Sequence, residues 1–157
     1  KRFRDFKQLA KDYEHQTKFE WNPKGTTADS IIVHELGHQL DGLLTLKGIW
    51  GGQIGRYGVT RTSVAVEREV LQRLGYYDYI RSEREQWRSM GYRGRDLNDA
   101  LDFSRKDFIR KHISEYAYTN EREFFAECFS EYMTSKKPRK AARIFGEILE
   151  EIMEGLQ

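Results

Sequence analysis

The sequence predicts a mainly α-helical fold, α+β with at most a small sheet, and three observations carry that prediction. Apolar residues recur at helical spacing through most of the chain, strict polar–apolar alternation is nearly absent, and glycines or capping residues fall between the periodic stretches. At 157 residues the chain has the length of a single domain, 1–157, able to bury a core.

Phe3, Phe6, Leu9, Ala10 and Tyr13 share one face of a first helix, about Arg2 to Glu14. Phe19 to Pro23 reads as a short extended segment entering a turn at Lys24-Gly25. Thr27 then offers an N-cap hydroxyl, with Asp29 in the first turn where the helix dipole favours negative charge. A helix from about Ala28 to about Leu46 follows, with Ile31, Ile32, Leu36, Leu40, Leu43 and Leu44 as its apolar stripe and Gly42 and Gly48 bracketing its fraying end. Inside it, Gly37 costs about 1 kcal/mol relative to alanine. Close approach of another backbone or a substrate would account for it; a neutral surface glycine is the alternative.

Gly48, Gly51, Gly52, Gly55 and Gly58 mark a loop that holds Trp50 and Tyr57, either a substrate lip or a plain connection. Helices are expected over Ser63–Leu74, ended by Gly75, over Ser82–Met90, closed by Gly91, and over Leu97–Ile113 with Leu101, Phe108, Ile109 and His112 inward. Thr119 or Asn120 can cap the next helix, whose Phe124, Phe125, Cys128, Phe129 and Tyr132 furnish a core-packing face. Pro138 suits the first turn of a last helix, Pro138–Met153, where its missing N–H is not needed.

Lysine plus arginine number 27 against 25 acidic residues, a net charge of +2. The arginines between Arg56 and Arg110 are interspersed with Asp and Glu, so a solvated, ion-paired face is expected and no nucleic-acid partner. No apolar run reaches the ~20 residues of a membrane span. The single cysteine, Cys128, allows no internal disulfide. Because Lys1 lies within a helical pattern, the chain is expected to be a domain excised from a longer protein.

His34-Glu35-Leu36-Gly37-His38 is the feature that points to chemistry. Residues four apart on a helix share a face, so His34 and His38 project together, as two corners of a tetrahedral zinc site require. Glu35 then stands beside the open position where water binds, placed to act as a general base. Two histidines and a glutamate that merely share a helix are the bland alternative. A third protein ligand must come from elsewhere. Leu44 occupies the position six residues past His38 where a further histidine would complete a metzincin site, so a glutamate on a separate helix is the remaining local solution. Glu123 and Glu127, one turn apart, offer it: one could ligate while the other accepts the distal N–H of a ligating histidine.

Together, His34-Glu35-Leu36-Gly37-His38-Gln39-Leu40-Asp41 and the block from Ser114 to Phe129, containing Tyr116 and Glu123-Phe124-Phe125-Ala126-Glu127, resemble the gluzincin metallopeptidases. Within that group they resemble the catalytic domain of anthrax lethal factor, and the Pro-Pro endopeptidases look like smaller members of it. The likeness covers roughly Gly25 to Asp41 and Ile113 to Tyr132; the stretch between, 47–112, is longer than in lethal factor and matches nothing specific. It implies a zincin-like fold, with the His34/His38 helix packed against a second ligand-bearing helix. It further implies Glu123 as third zinc ligand, Glu127 and Asp41 as supporting residues, and Tyr116 as the residue that assists catalysis, Tyr118 being the alternate. The expectation is a zinc-dependent endopeptidase, one Zn2+ held by His34, His38 and Glu123, acting on a peptide or protein substrate. A non-proteolytic structural or interaction domain retaining the same scaffold is the alternative. Similar regions of secreted bacterial toxins and phage head proteins suggest the parent's setting.

Overall fold

The computed structural model describes Thr27 and residues 29–51, 53–55 and 58–156. The helix expected over Arg2–Glu14, the extended Phe19–Pro23 segment and the turn at Lys24-Gly25 lie outside these residues.

Helices dominate. In chain order they are α1 (Ser30–Leu46), α2 (Thr62–Leu74), α3 (Tyr76–Ser89), α4 (Gly94–His112), α5 (Glu121–Thr134) and α6 (Lys140–Glu154). Single 3-10 turns occupy Ile49–Gly51 and Tyr116–Tyr118. The glycine-marked loop after α1 contains the one sheet among the described residues, an antiparallel hairpin of β1 (Gln53–Gly55) and β2 (Gly58–Thr60) with Ile54 opposite Val59. The mainly helical architecture is therefore as expected. Among the described residues no helix is long and apolar enough to cross a membrane.

Helix α5 lies at the centre. Phe124, Phe125 and Cys128 are completely buried and meet Val66 and Val70 of α2, Phe108 and Ile109 of α4, and Phe145 and Ile148 of α6 in one apolar cluster. Phe125 and Phe145 contact edge to face at 4.9 Å, a favoured aromatic arrangement. Phe129 and Tyr132, expected in the core, are half-buried and pack against its edge. Helix α6 contributes Ala141, Ile144, Phe145, Ile148 and Ile152, a stripe at helical spacing.

Two expectations need correction. The buried side of α1 is only partly its apolar stripe: Leu44 is buried and Leu40 packs against the core, but Ile32, Leu36 and Leu43 are 68 %, 54 % and 52 % exposed. The buried positions are Ser30, Gly37, Asp41, Leu44 and Thr45. Cross-helix hydrogen bonds favour that side. The Ser30 carbonyl accepts from Ser130 Oγ and its hydroxyl meets that of Thr134, while Asp41 and Thr45 accept the N–H groups of Ser63 and Thr62 and so cap α2. The second correction concerns the helix expected over Ser82–Met90: it begins at Tyr76, so Tyr76, Tyr77 and Tyr79 belong to it. Gly75, at φ 84°, both ends α2 and starts α3 without an intervening loop, a conformation that glycine adopts freely. Tyr76 and Tyr79 thereby reach Phe108, with ring centroids 5.2 and 5.0 Å away.

Smaller offsets have local causes. Helix α1 starts at Ser30, whose N–H bonds to the Thr27 carbonyl; the N-cap residue is Asp29, whose side chain makes no capping bond. Helix α6 starts at Lys140 rather than Pro138, because Arg139 is held extended with its backbone N–H on Glu131.

Candidate metal centre

Two helices bring the candidate ligands together, and each is positioned by local sequence. On α1 the four-residue spacing stacks His34 above His38, their rings edge to face at 4.8 Å. On α5 the Asn120 side chain caps the helix by accepting the N–H groups of Arg122 and Glu123, each at 3.0 Å, which fixes the backbone that carries Glu123. Gly37 lets the helices approach: a Cβ there would lie 3.0 Å from the Ala126 Cα and 3.2 Å from the Phe129 ring.

That contact gives a clean comparison within one helix. Gly37→Ala gains about 1 kcal/mol of helix propensity but must displace backbone, and overpacking of this kind costs about 1–3 kcal/mol. Gly42, also inside α1, has nothing within 4 Å of the point where a Cβ would stand, so alanine there meets open space. Chemical denaturation is expected to find Gly42→Ala stabilised and Gly37→Ala destabilised, each by about 1 kcal/mol. Equal stabilisation of both would remove close approach as the reason for Gly37.

The ligand atoms form a small triangle. His34 Nε2 lies 3.1 Å from Glu123 Oε2 and 3.1 Å from His38 Nε2, and the third edge, from His38 Nε2 to Glu123 Oε2, is 3.2 Å. The side chains are largely sheltered, 14 % exposed for His34, 12 % for His38 and 17 % for Glu123. Bonds of about 2.05 Å at a tetrahedral ion imply donor–donor edges of about 3.3 Å. The triangle fits.

Hydrogen bonding also orients His34. Its Nδ1 lies 2.8 Å from Glu127 Oε1, and because a carboxylate only accepts, the proton sits on Nδ1. In the neutral ring Nε2 then presents its lone pair to the triangle. Burial pushes the His34 pKa down, but the Glu127 hydrogen bond and charge, followed by the charges of Glu123 and Glu35, outweigh it and raise the pKa from the ordinary histidine value. The opposite ring nitrogen of the second histidine differs: His38 Nδ1 is buried with no hydrogen-bond partner among the described residues.

Glu35 is exposed on α1, close enough for its charge to act on both His34 and Tyr116. Tyr116 is 38 % exposed, its ring centroid 6.1 Å from that of His34. Burial, then the charges of Glu123, Glu127 and Glu35, push its phenol pKa up, so the hydroxyl keeps its proton and remains a donor. Tyr118 is committed elsewhere. It donates to Asp102 at 2.5 Å, and burial together with that bond pushes its pKa up to about 12. Asp41, expected beside the histidines, is fully buried and bonds Ser63 N at 2.8 Å and Arg61 at 3.5 Å, capping α2 instead of meeting either ring.

One participant carries no signal in the sequence pattern. Ser114, buried before the 3-10 turn, donates to Glu127 Oε2 at 2.7 Å. A loop-to-helix hydrogen bond has no periodicity to reveal it. In comparisons with known proteins, no family model, no curated protein and no solved structure matches this chain.

Proposed function

We propose that the protein is a zinc-dependent endopeptidase in which α1 and α5 pair as in a zincin-like fold. The observation that carries this reading is the convergence of His34 and His38 with Glu123, 89 residues further along than His34, into one triangle of donors that could hold a metal ion. The acceptor on His34 Nδ1 is the support that a ligating imidazole needs.

When bound, zinc lowers the pKa of water toward ~7 and polarises a carbonyl. The residues of the chain supply the remainder. Glu35 accepts the proton of the attacking water and delivers it to the leaving amine. Tyr116 donates to the oxygen that gains charge as the peptide carbonyl becomes tetrahedral; one such donor contributes about 3 kcal/mol. His34 donates from Nδ1 to Glu127, so Nε2 is the ring nitrogen it would turn to a metal. A secreted toxin or a phage particle is the proposed setting, on the resemblance alone.

Zinc quantification coupled to cleavage profiling on a peptide library tests the reading. One zinc per chain and cleavage at defined bonds are expected; zinc bound with no peptide cut would favour a non-proteolytic domain on the same scaffold. Within the site, Glu123→Ala removes a donor, whereas Glu127→Ala removes only the support of one and is expected to cost about 10–100-fold in zinc affinity. Chelator competition should find the larger loss for Glu123→Ala. The reverse order would exchange their roles.

A further inference from the structure

We infer that Ser114 is a positioning residue that couples the metal-ligand geometry to the turn carrying Tyr116, an inference that rests on the endopeptidase reading of the site. Its hydroxyl has one proton and two lone pairs. The proton goes to Glu127 Oε2 at 2.7 Å, and a lone pair accepts the Ala117 N–H at 3.1 Å. Because the amide occupies the acceptor side, the hydroxyl dipole is directed at the carboxylate.

Two consequences follow from that direction. Glu127 is held at both oxygens, Oε1 by His34 Nδ1 at 2.8 Å and Oε2 by Ser114, so the carboxylate cannot rotate without breaking a bond. The His34 ring is thereby kept in one plane, with Nε2 on the donor triangle. At the same time Ser114 grips Ala117, and Tyr116 lies between these two residues in the 3-10 turn. One hydroxyl thus joins the turn by direct hydrogen bonds to the carboxylate that supports His34, beside the packing of Ala117 and Tyr118 on the core. Ser114 is 1 % exposed and Glu127 3 %, so water does not readily substitute for either partner.

Outer partners of metal-bound histidines typically change metal affinity by 10–100-fold. Acting one bond further out, Ser114→Ala is expected to weaken zinc binding about 10-fold in chelator competition. In a Glu127→Ala background the same substitution should have no further effect on affinity, since its route to the metal is already gone. With zinc saturating, kcat should still fall in Ser114→Ala with KM little changed, and that fall should vanish in a Tyr116→Phe background. A merely structural serine would give the same decrement in every background, and that result overturns the inference. So does wild-type zinc affinity in Ser114→Ala. Should the alanine variant not fold, Ser114→Cys keeps the shape with a weaker donor; a smaller fall in affinity is expected, and none would overturn the inference. A wild-type protein that binds no zinc defeats the reading of the site itself, a distinct outcome.

Discussion

Glu35→Gln is expected to leave one zinc bound per chain while peptide hydrolysis falls by about 10²–10⁴-fold, the range associated with loss of a general base. The substitution keeps side-chain size and removes only the ability to take a proton. Glu35 is not one of the three donors, and its exposed carboxylate makes no hydrogen bond among the described residues, so neither ligand geometry nor packing depends on it. The comparison variant is Tyr116→Phe, where one lost hydrogen-bond donor at about 3 kcal/mol corresponds to roughly 10²-fold. Measuring kcat/KM on the best library peptide beside zinc content separates the cases. Turnover in Glu35→Gln within a few-fold of wild type would eliminate Glu35 as the base.

Arg139→Met is expected to cause the largest loss of stability, about 3–5 kcal/mol, because it strands a buried carboxylate. Glu131 is fully buried, and its oxygens accept the Arg139 backbone N–H at 2.7 Å, Nε at 3.0 Å and a terminal guanidinium nitrogen at 2.8 Å. The guanidinium also donates to the carbonyls of Lys111 and Ile113, tying the end of α4 to the start of α6. By contrast, Arg73 bridges Glu69 and Glu151 with side chains 30–50 % exposed, and such surface pairs contribute about 0–1 kcal/mol. At about 2–4 °C per kcal/mol for a chain of this size, Arg139→Met should lower the melting temperature by about 10 °C. Pairing it with Glu131→Leu should restore much of the loss, since a buried pair replaced on both sides leaves no stranded charge. A melting temperature within about 2 °C of wild type for Arg139→Met would mean that Glu131 finds water or another partner.

Legibility in the sequence followed the physical origin of each feature. The core side of α5 was readable because Phe124, Phe125 and Cys128 are apolar residues at helical spacing, and burial of apolar area is what such spacing reports. His34, His38 and Glu123 were readable as candidates because ligation demands particular residue types at particular intervals. The side of α1 that would be buried was readable only in part. Its partner helices engage Ser30, Asp41 and Thr45 through specific hydrogen bonds, and Gly37 through absence of a side chain, so the apolar pattern found Leu40 and Leu44 but missed the rest of that face. The α2–α3 junction was misread because one glycine serves as the end of one helix and the beginning of the next. Strands of three residues were too short for alternation to declare itself. Ser114 and the clamp at Arg139 join a loop residue or a helix start to a neighbouring helix through side chains, and such pairings carry no periodicity to read.

The division of α1 into unlike flanks has a practical result. Ile32, Leu36, Leu43 and Leu46 point away from the imidazoles, at 68 %, 54 %, 52 % and 74 % exposure, and none takes part in the hydrogen-bonded seam. Adhesiveness and chemistry are thus inscribed on opposite sides of one cylinder. Solubility can be tuned by hydrophilic replacements along the outer flank, or a reporter dye attached there, with the donor atoms left undisturbed.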